Sequence, residues 1–198
     1  MESIVLASSS PRRKELINLL EMPFIVVSKE VDEQIDRTQS PEDNVKALAL
    51  KKAMAVAEDY PSQLVIGCDT VVAIGSQIIG KPRDKQDAKV ILGSLSGKRH
   101  FVYTGVAIMC KIDKYTHTFC ERTSVKMKGL TAEEIDSYIR TGEPLDKAGA
   151  YGIQGKGALY IEGIEGDYYN VVGLPVHRLY QELTQINKYC EAKKQVES

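Results

Sequence analysis

The sequence predicts an α/β protein, and three observations carry the prediction. Short apolar runs of strand length alternate with stretches of helical periodicity. A chain of 198 residues fits one α/β domain, or one domain with an added lobe, and is long enough to bury a real core. Hydrophobic residues at 43% and charged residues at 27% are ordinary for a soluble globule. The formal net charge of −1 gives no broad positive field for nucleic acid, so any anion site has to be local. No apolar run is long enough to span a bilayer, and the N-terminus reads as a strand instead of a signal peptide. Cys68, Cys110, Cys120 and Cys190 form no CxxC pair and the three histidines no HExxH, which argues against a disulfide framework or structural zinc. The expected location is the cytoplasm.

The first element is a buried strand over 4–7, followed by the hydroxyl-rich loop Ser8-Ser9-Ser10 and a helix start. Ser10 suits the N-cap and Pro11 the first helical position, where a missing N–H costs nothing. Leu16, Ile17, Leu19 and Leu20 form the apolar face. Arg12, Arg13 and Lys14 fill the first turn, where free N–H groups and the macrodipole make cations unfavourable. Three other helices obey that electrostatic rule: Glu42 and Asp43 follow Ser40-Pro41, Asp87 follows Asp84, and Glu133 and Glu134 follow Thr131. Two readings of the exception stay open. Either N–H groups, serines and guanidinium forks hold an anion together, or the basic side chains point to solvent and surface acids.

A second strand is expected over 24–27, entered through Pro23, and then a polar loop over 29–34 whose acids are mostly solvated, one of them within reach of a metal. The helix over 41–59 carries an apolar stripe of Val45, Leu48, Ala49, Ala53 and Val56. Lys52 falls inside that stripe and Lys51 outside it. A lysine on a core face either snorkels past the core edge or meets an anion in a cleft; Lys51 is ordinary surface. Next come a buried strand over 64–68, then Asp69-Thr70, then a further apolar run over 71–74. A carboxylate between two apolar runs is expensive unless paired or metal-bound, and ligands gather at the carboxyl ends of strands in open sheets. The alternative is that Asp69 caps a turn.

Gly75-Ser76-Gln77 turns the chain into a hairpin through Ile78-Ile79, leaving Lys81 in a rigid Gly-Lys-Pro loop. A helix over 85–95 is expected to bury Val90, Ile91 and Leu95, and long strands over 101–109 and 116–126 to join at Asp113-Lys114. Thr131 and Glu134 make a capping box for a helix ending near Gly142. Residues 146–157 are dense in glycine, so backbone can approach a ligand closely. In that loop Tyr151 offers a stacking face and Gln154 a donor and an acceptor for a base edge. The segment lacks GxxxxGK[ST], which excludes a P-loop, and its glycines follow no strand in a Rossmann context. A strand over 159–164, a turn at Gly166-Asp167 and a last helix from Pro175 to about Lys188 complete the order, with a charged tail expected to fray.

Eight stretches, in order and reaching to about Arg178, resemble the Maf family of nucleotide pyrophosphatases, also called septum formation inhibitors. They are LASSSPRRKELI, VDE at Val31, LALKKA around Lys52, GCDTVV around Asp69, GKPRD at Lys81, LSGKRH at Leu95, EPLDKAGAYGIQGKGA at Glu143 and GDYYNVVGLPV at Gly166. The resemblance implies a mixed, elongated sheet flanked by helices, with two lobes around one cleft as in the inosine triphosphate pyrophosphatases, and one domain over 1–198. It implies hydrolysis of nucleoside triphosphates to the monophosphate and pyrophosphate, with a divalent cation, magnesium in the main and manganese as the alternative. Arg12, Arg13, Lys52 and Lys81 match the polyphosphate clamp, with Ser8 and Ser10 in the same loop. Asp69 matches the general base and Glu33 the acid that helps with the metal; Asp69 is open to serving as a metal ligand instead. Arg12, Thr70 and Gln154 match positions tied to base choice, and the Gln154 pattern resembles the subgroup acting on dTTP and UTP. Cys68 departs from relatives that carry a small residue there.

Several cations and a metal are what a polyphosphate needs as pyrophosphate leaves, and a carboxylate can orient and deprotonate water. The implied partner is a nucleoside triphosphate, with no stable nucleic-acid complex, no membrane, and a homodimer left open. The competing expectation is a non-catalytic nucleotide-sensing regulator of septum formation, which would have no use for Asp69. A DNA-binding septation factor is argued against by the net charge.

Overall fold

In the computed structural model of this chain the described residues are 4–196, with side chains described for 4–186. Seven strands make one mixed sheet: β1 (Ile4–Ala7), β2 (Phe24–Val26), β3 (Val65–Ile74), β4 (Gln77–Ile79), β5 (Arg99–Cys110), β6 (Tyr115–Met127) and β7 (Ile161–Glu165). The order is β2-β1-β3-β5-β6-β7, with β4 pairing β3 off that path. β1 is parallel to β2 and to β3; every other pairing is antiparallel.

The pairing of β3 places everything that follows. Along one edge β5 accompanies it without a break, from Val65↔Met109 to Ala73↔Phe101. Along the other edge β1 covers only Val5↔Val65 to Ala7↔Gly67, and β4 only Val72↔Ile79 to Ile74↔Gln77. Residues 68–71 therefore face a gap between two strand partners.

Six helices flank the sheet: α1 (Pro11–Ile17), α2 (Pro41–Ala57), α3 (Lys85–Leu95), α4 (Ala132–Arg140), α5 (Tyr168–Val172) and α6 (Val176–Val196). Strand alternation sorts the core. Ile4, Leu6, Ile66, Cys68 and Val106 pack with α1 and α6, whereas Val5, Ala7, Val65 and Ala107 pack under α2. A separate cluster at the far end joins Val72, Val102 and Val125 to α3 and α4. α2 lies directly on the sheet at two glycines. A Cβ on Gly67 would come within 2.1 Å of the Ala49 carbonyl oxygen, and one on Gly105 within 2.3 Å of the Val45 carbonyl oxygen. Ser40 and Asp84 cap α2 and α3, and the Thr131–Glu134 capping box forms at α4.

The structure departs from the sequence expectations at six places. Asp69-Thr70 interrupts nothing: β3 is continuous through both because β5 pairs with every residue there, so Asp69 sits in mid-strand. α1 stops at Ile17 and a 3-10 turn over Asn18–Leu20 rotates Leu19 into solvent while Leu20 is buried. The buried face of α3 is Ala88, Leu92 and Leu95, and Val90 is 61% exposed. Leu159 is 75% exposed because a 3-10 turn over Lys156–Tyr160 delays β7 to Ile161. The turn at Asp167 starts α5, whose N-cap is the Asp167 carboxylate accepting from the Tyr169 N–H. α6 continues beyond Lys188 to Val196 through Glu191, Ala192, Lys193 and Lys194, all good helix formers; the last two residues of the tail expected to fray lie outside the described residues. Among the described residues no helix is long and apolar enough to cross a membrane.

Candidate active site

The gap on the β3 edge opens into a cleft of ≈ 830 Å³. Ser8, Ser10, Arg12, Arg13, Glu33, Lys52, Asp69, Thr70, Lys81 and Gln154, far apart in sequence, all line it.

Its floor follows from the close approach of α2. Gly67 admits Ala49 and Ala53 of the helix, and Asp69 is two residues further along the same face of β3. Lys52, beside Ala53, is thereby delivered to Asp69: its Nζ donates to Asp69 Oδ1 at 2.6 Å and pairs with Glu33 Oε1 at 2.8 Å. Asp69 is 8% exposed, and the Lys52 ammonium is the partner that compensates its burial. Burial works against the Glu33 charge, yet the Lys52 ammonium, with Lys81 and Arg13 further off, holds its carboxyl below the usual range. Lys51 is elsewhere, donating to the Asp32 carbonyl at 2.7 Å on the surface. Of the two readings of Lys52, the inward one describes the geometry.

Arg13 is held on three sides. Its Nε donates to the Gly173 carbonyl at 2.8 Å, Nη1 to Ser8 Oγ at 3.2 Å and Nη2 to Thr70 Oγ1 at 3.0 Å. Thr104 spends its one proton on the Asn170 carbonyl at 3.0 Å, so the 2.9 Å contact between Thr70 and Thr104 has Thr70 donating. Asn170 in turn donates to Val102 O and Thr123 Oγ1. This buried relay joins α1, β3, β5, β6 and α5, and leaves Arg13 with two spare N–H donors of its five. Thr104, Asn170 and Gly173 escaped the sequence reading; a lone asparagine in the run Tyr168–Val172 was the available signal. Arg12 Nη1 lies 3.7 Å from an Asp146 carboxylate oxygen, and Lys81 is exposed.

At the other end of the cleft Gln154 is exposed. Tyr151 does not present the stacking face expected of it: it is 5% exposed, its ring packs edge-on to His100 at 5.3 Å, and its hydroxyl meets His100 Nε2 at 2.7 Å. Tyr151 is a core residue because the chain enters the loop through the cluster under α3 and α4. Cys68 points into the opposite core from Asp69, and burial pushes its thiol up to about 11 despite Arg13 and Lys52, so it is unreactive. Among the described residues no group of three or more His, Cys, Asp or Glu stands together as a metal site. The two carboxylates that do converge, Glu33 and Asp69, converge on the Lys52 cation.

The sequence profile of the Maf-like protein family matches residues 3–186. The chain is 56% identical over 187 residues to a dTTP/UTP pyrophosphatase of Bacillus mycoides strain KBAB4, covering 94% of this chain and 97% of that one. It is 57% identical, with the same coverage, to a dTTP/UTP pyrophosphatase of Bacillus cytotoxicus. Among solved structures the Staphylococcus aureus Ham1 protein is a distant likeness, with a TM-score of 0.45 and 17% identity over 64% of this chain and 72% of that one.

Proposed function

The chain belongs to the Maf-like protein family, and from that premise we propose that its cleft hydrolyses nucleoside triphosphates, dTTP and UTP above all, to the monophosphate and pyrophosphate. The observation that carries the reading is the floor: a nearly buried carboxylate, Asp69, tied to Lys52 and Glu33 beneath a rim of serines and basic side chains. A polyphosphate is the ligand whose charge such a rim offsets, and Arg12, Arg13, Lys52 and Lys81 bind it. Asp69 orients and deprotonates the attacking water at the α-phosphate. Glu33 stays ionised beside it because of Lys52. Ser8 shares its hydroxyl with Arg13 and holds that guanidinium toward the cleft.

Two carboxylates that already converge on one cation are a donor set of the kind magnesium takes, and Glu33 and Asp69 would hold it. Bound there, the ion supplies charge neutralisation for the departing pyrophosphate. The reading carries the cytoplasm as the location and housecleaning of the nucleotide pool as the role, with any effect on septum formation acting through that pool. A regulator that binds without turnover is not favoured: the relatives are enzymes by name, and mere binding gives Asp69 nothing to do.

Gln154 is the base reader in this proposal. Its amide offers a donor and an acceptor to the imide edge of uracil or thymine, and a purine leaves those groups unpaired. Pyrophosphate release measured with magnesium across UTP, dTTP, ATP and GTP tests both halves. We expect UTP and dTTP to lead by at least about tenfold in kcat/KM, and Gln154→Glu to erode that lead more than it weakens triphosphate binding. Absence of turnover with every triphosphate sinks the enzyme; equal turnover of all four sinks the reader.

A further inference from the structure

The loop that carries Gln154 is built around two residues that no role has yet been given. Tyr138 lies on the buried face of α4, 1% exposed, with its ring edge-on to Tyr160 at 5.3 Å. Its hydroxyl donates to Glu143 Oε1 at 2.8 Å and accepts from the Gly152 N–H at 3.0 Å. The same Glu143 carboxylate accepts from the Lys156 N–H at 2.9 Å through Oε2 and from the Gly157 N–H at 3.2 Å through Oε1. One tyrosine–glutamate pair thus holds the backbone on both sides of residues 153–155. The Gln154 amide between these anchors has no protein partner among the described residues.

The same pair accounts for two glycines of the segment, Gly155 and Gly157. A Cβ on Gly155 would sit 2.4 Å from Glu143 Oε2, and one on Gly157 would sit 2.6 Å from the Tyr138 hydroxyl. A Cβ on Gly152 would come within 2.7 Å of Lys147 Cε, and Lys147 Nζ itself donates to the Glu143 carbonyl at 3.0 Å. At Gly155 the clamp occupies the side-chain space, at Gly157 the clamp and the Gly152 carbonyl share it, and at Gly152 Lys147 does. That is a different reason from close approach to a ligand. Burial opposes the charge of Glu143, but Tyr138, the two amides and Lys147 outweigh it and keep the carboxyl below its usual range. Its bonds to the loop are therefore charge-assisted, the stronger kind.

We propose that Glu143 and Tyr138 are positioning residues for base choice, clamping both stems of the loop so that the Gln154 amide meets the base edge in one fixed orientation. The proposal rests on the reading of Gln154 as the base reader. An amide discriminates donor from acceptor only if it is held to within about half an ångström of its working geometry. A loop free at either stem lets it rotate and accept the wrong edge.

The test uses the full chain with Glu143→Gln, which puts an amide opposite the Lys156 and Gly157 N–H groups, and Tyr138→Phe, which removes only the hydroxyl from a buried ring. Amide hydrogen exchange is read at residues 152, 156 and 157, and kcat and KM are measured for UTP and GTP. Glu143→Gln is expected to speed exchange at 156 and 157, and Tyr138→Phe at 152, each by about tenfold, the loss of one such hydrogen bond. The UTP-to-GTP ratio of kcat/KM is expected to fall by about tenfold, mostly through KM for UTP. Unchanged exchange, or an unchanged ratio in variants that still melt cooperatively, overturns the proposal, and so does loss of cooperative melting in both variants. A wild-type ratio near one overturns the reading of Gln154 itself. A high ratio that Gln154→Ala abolishes and Glu143→Gln leaves intact overturns the clamp alone.

Discussion

The two ends of the cleft are built in opposite ways. At the end proposed for the phosphates the side chains stand on regular elements pressed together: Lys52 on α2, Asp69 on β3, with glycine at 67 and 105 removing the space between helix and sheet. At the end proposed for the base, Gln154 stands on a loop with no strand or helix of its own, held by Glu143 and Tyr138 through backbone N–H groups. A reaction centre that must hold paired charges out of water needs rigid backbone, since an unpaired buried charge is costly. A reader of base edges needs only orientation, which a few hydrogen bonds supply.

The sharpest way to break this contrast is Asp69→Asn. It keeps shape and removes the carboxylate proposed as the base, so kcat is expected to fall by about two to four decades while the melting temperature holds; near-normal kcat in the folded variant would remove Asp69 from the chemistry. Lys52→Ala comes next. It leaves Asp69 buried without its cation, and an activity loss of at least about a hundredfold is expected with a loss of stability. Lys51→Ala, at the surface pair with Asp32, changes either by little. Equal damage from the two lysines would contradict the inward placement of Lys52.

Gly67→Ala probes the packing that delivers Lys52. The added Cβ meets backbone of α2, which cannot swing aside as a side-chain tip can. Destabilisation of about 3 kcal/mol or more is expected by denaturant melts. A milder cost would show that α2 can lift off the sheet.

The smallest effect belongs to pH and to the buried His100 that holds Tyr151. Burial pushes the His100 imidazole from 6.5 down to about 4. The unfolded chain therefore takes up a proton between those values that the folded one refuses. Stability from this group is complete above pH 6.5 and is lost as pH falls toward 4, by about 2 kcal/mol at pH 5. Urea melts of wild type and His100→Gln at pH 8 and pH 5 measure it; an equal pH drop in both proteins would locate the acid sensitivity elsewhere.

Much of this was legible in the residues. Lys52 and Lys51 separate by helical phase alone, and the phase is the one the structure has. The capping box at Thr131, the hairpin at Gly75 and the long strand pair joined near Asp113 also follow from local pattern. The errors share one cause. Leu19 and Val90 read as inward in short runs where an inward and an outward residue are chemically alike, and a 3-10 turn or a helix phase decides between them; a 3-10 turn likewise moves the start of β7 from 159 to Ile161. Tyr151 failed differently: a tyrosine in a glycine-rich loop suits a cleft or a core equally well until its hydroxyl finds His100.

By itself the sequence determined most of the elements and their order, though not α5 or the continuity of β3, together with the inward lysine, because side-chain periodicity is set by backbone geometry within one element. Only the tertiary structure decided where β3 lacks a neighbour, and hence where the cleft opens, because periodicity sorts the faces of a strand and says nothing of its edges. The partners of Arg13 were decided there too. Two of the three lie 57 and 160 residues away at Thr70 and Gly173, and a side-chain hydrogen bond leaves no trace in the local pattern of either segment it joins.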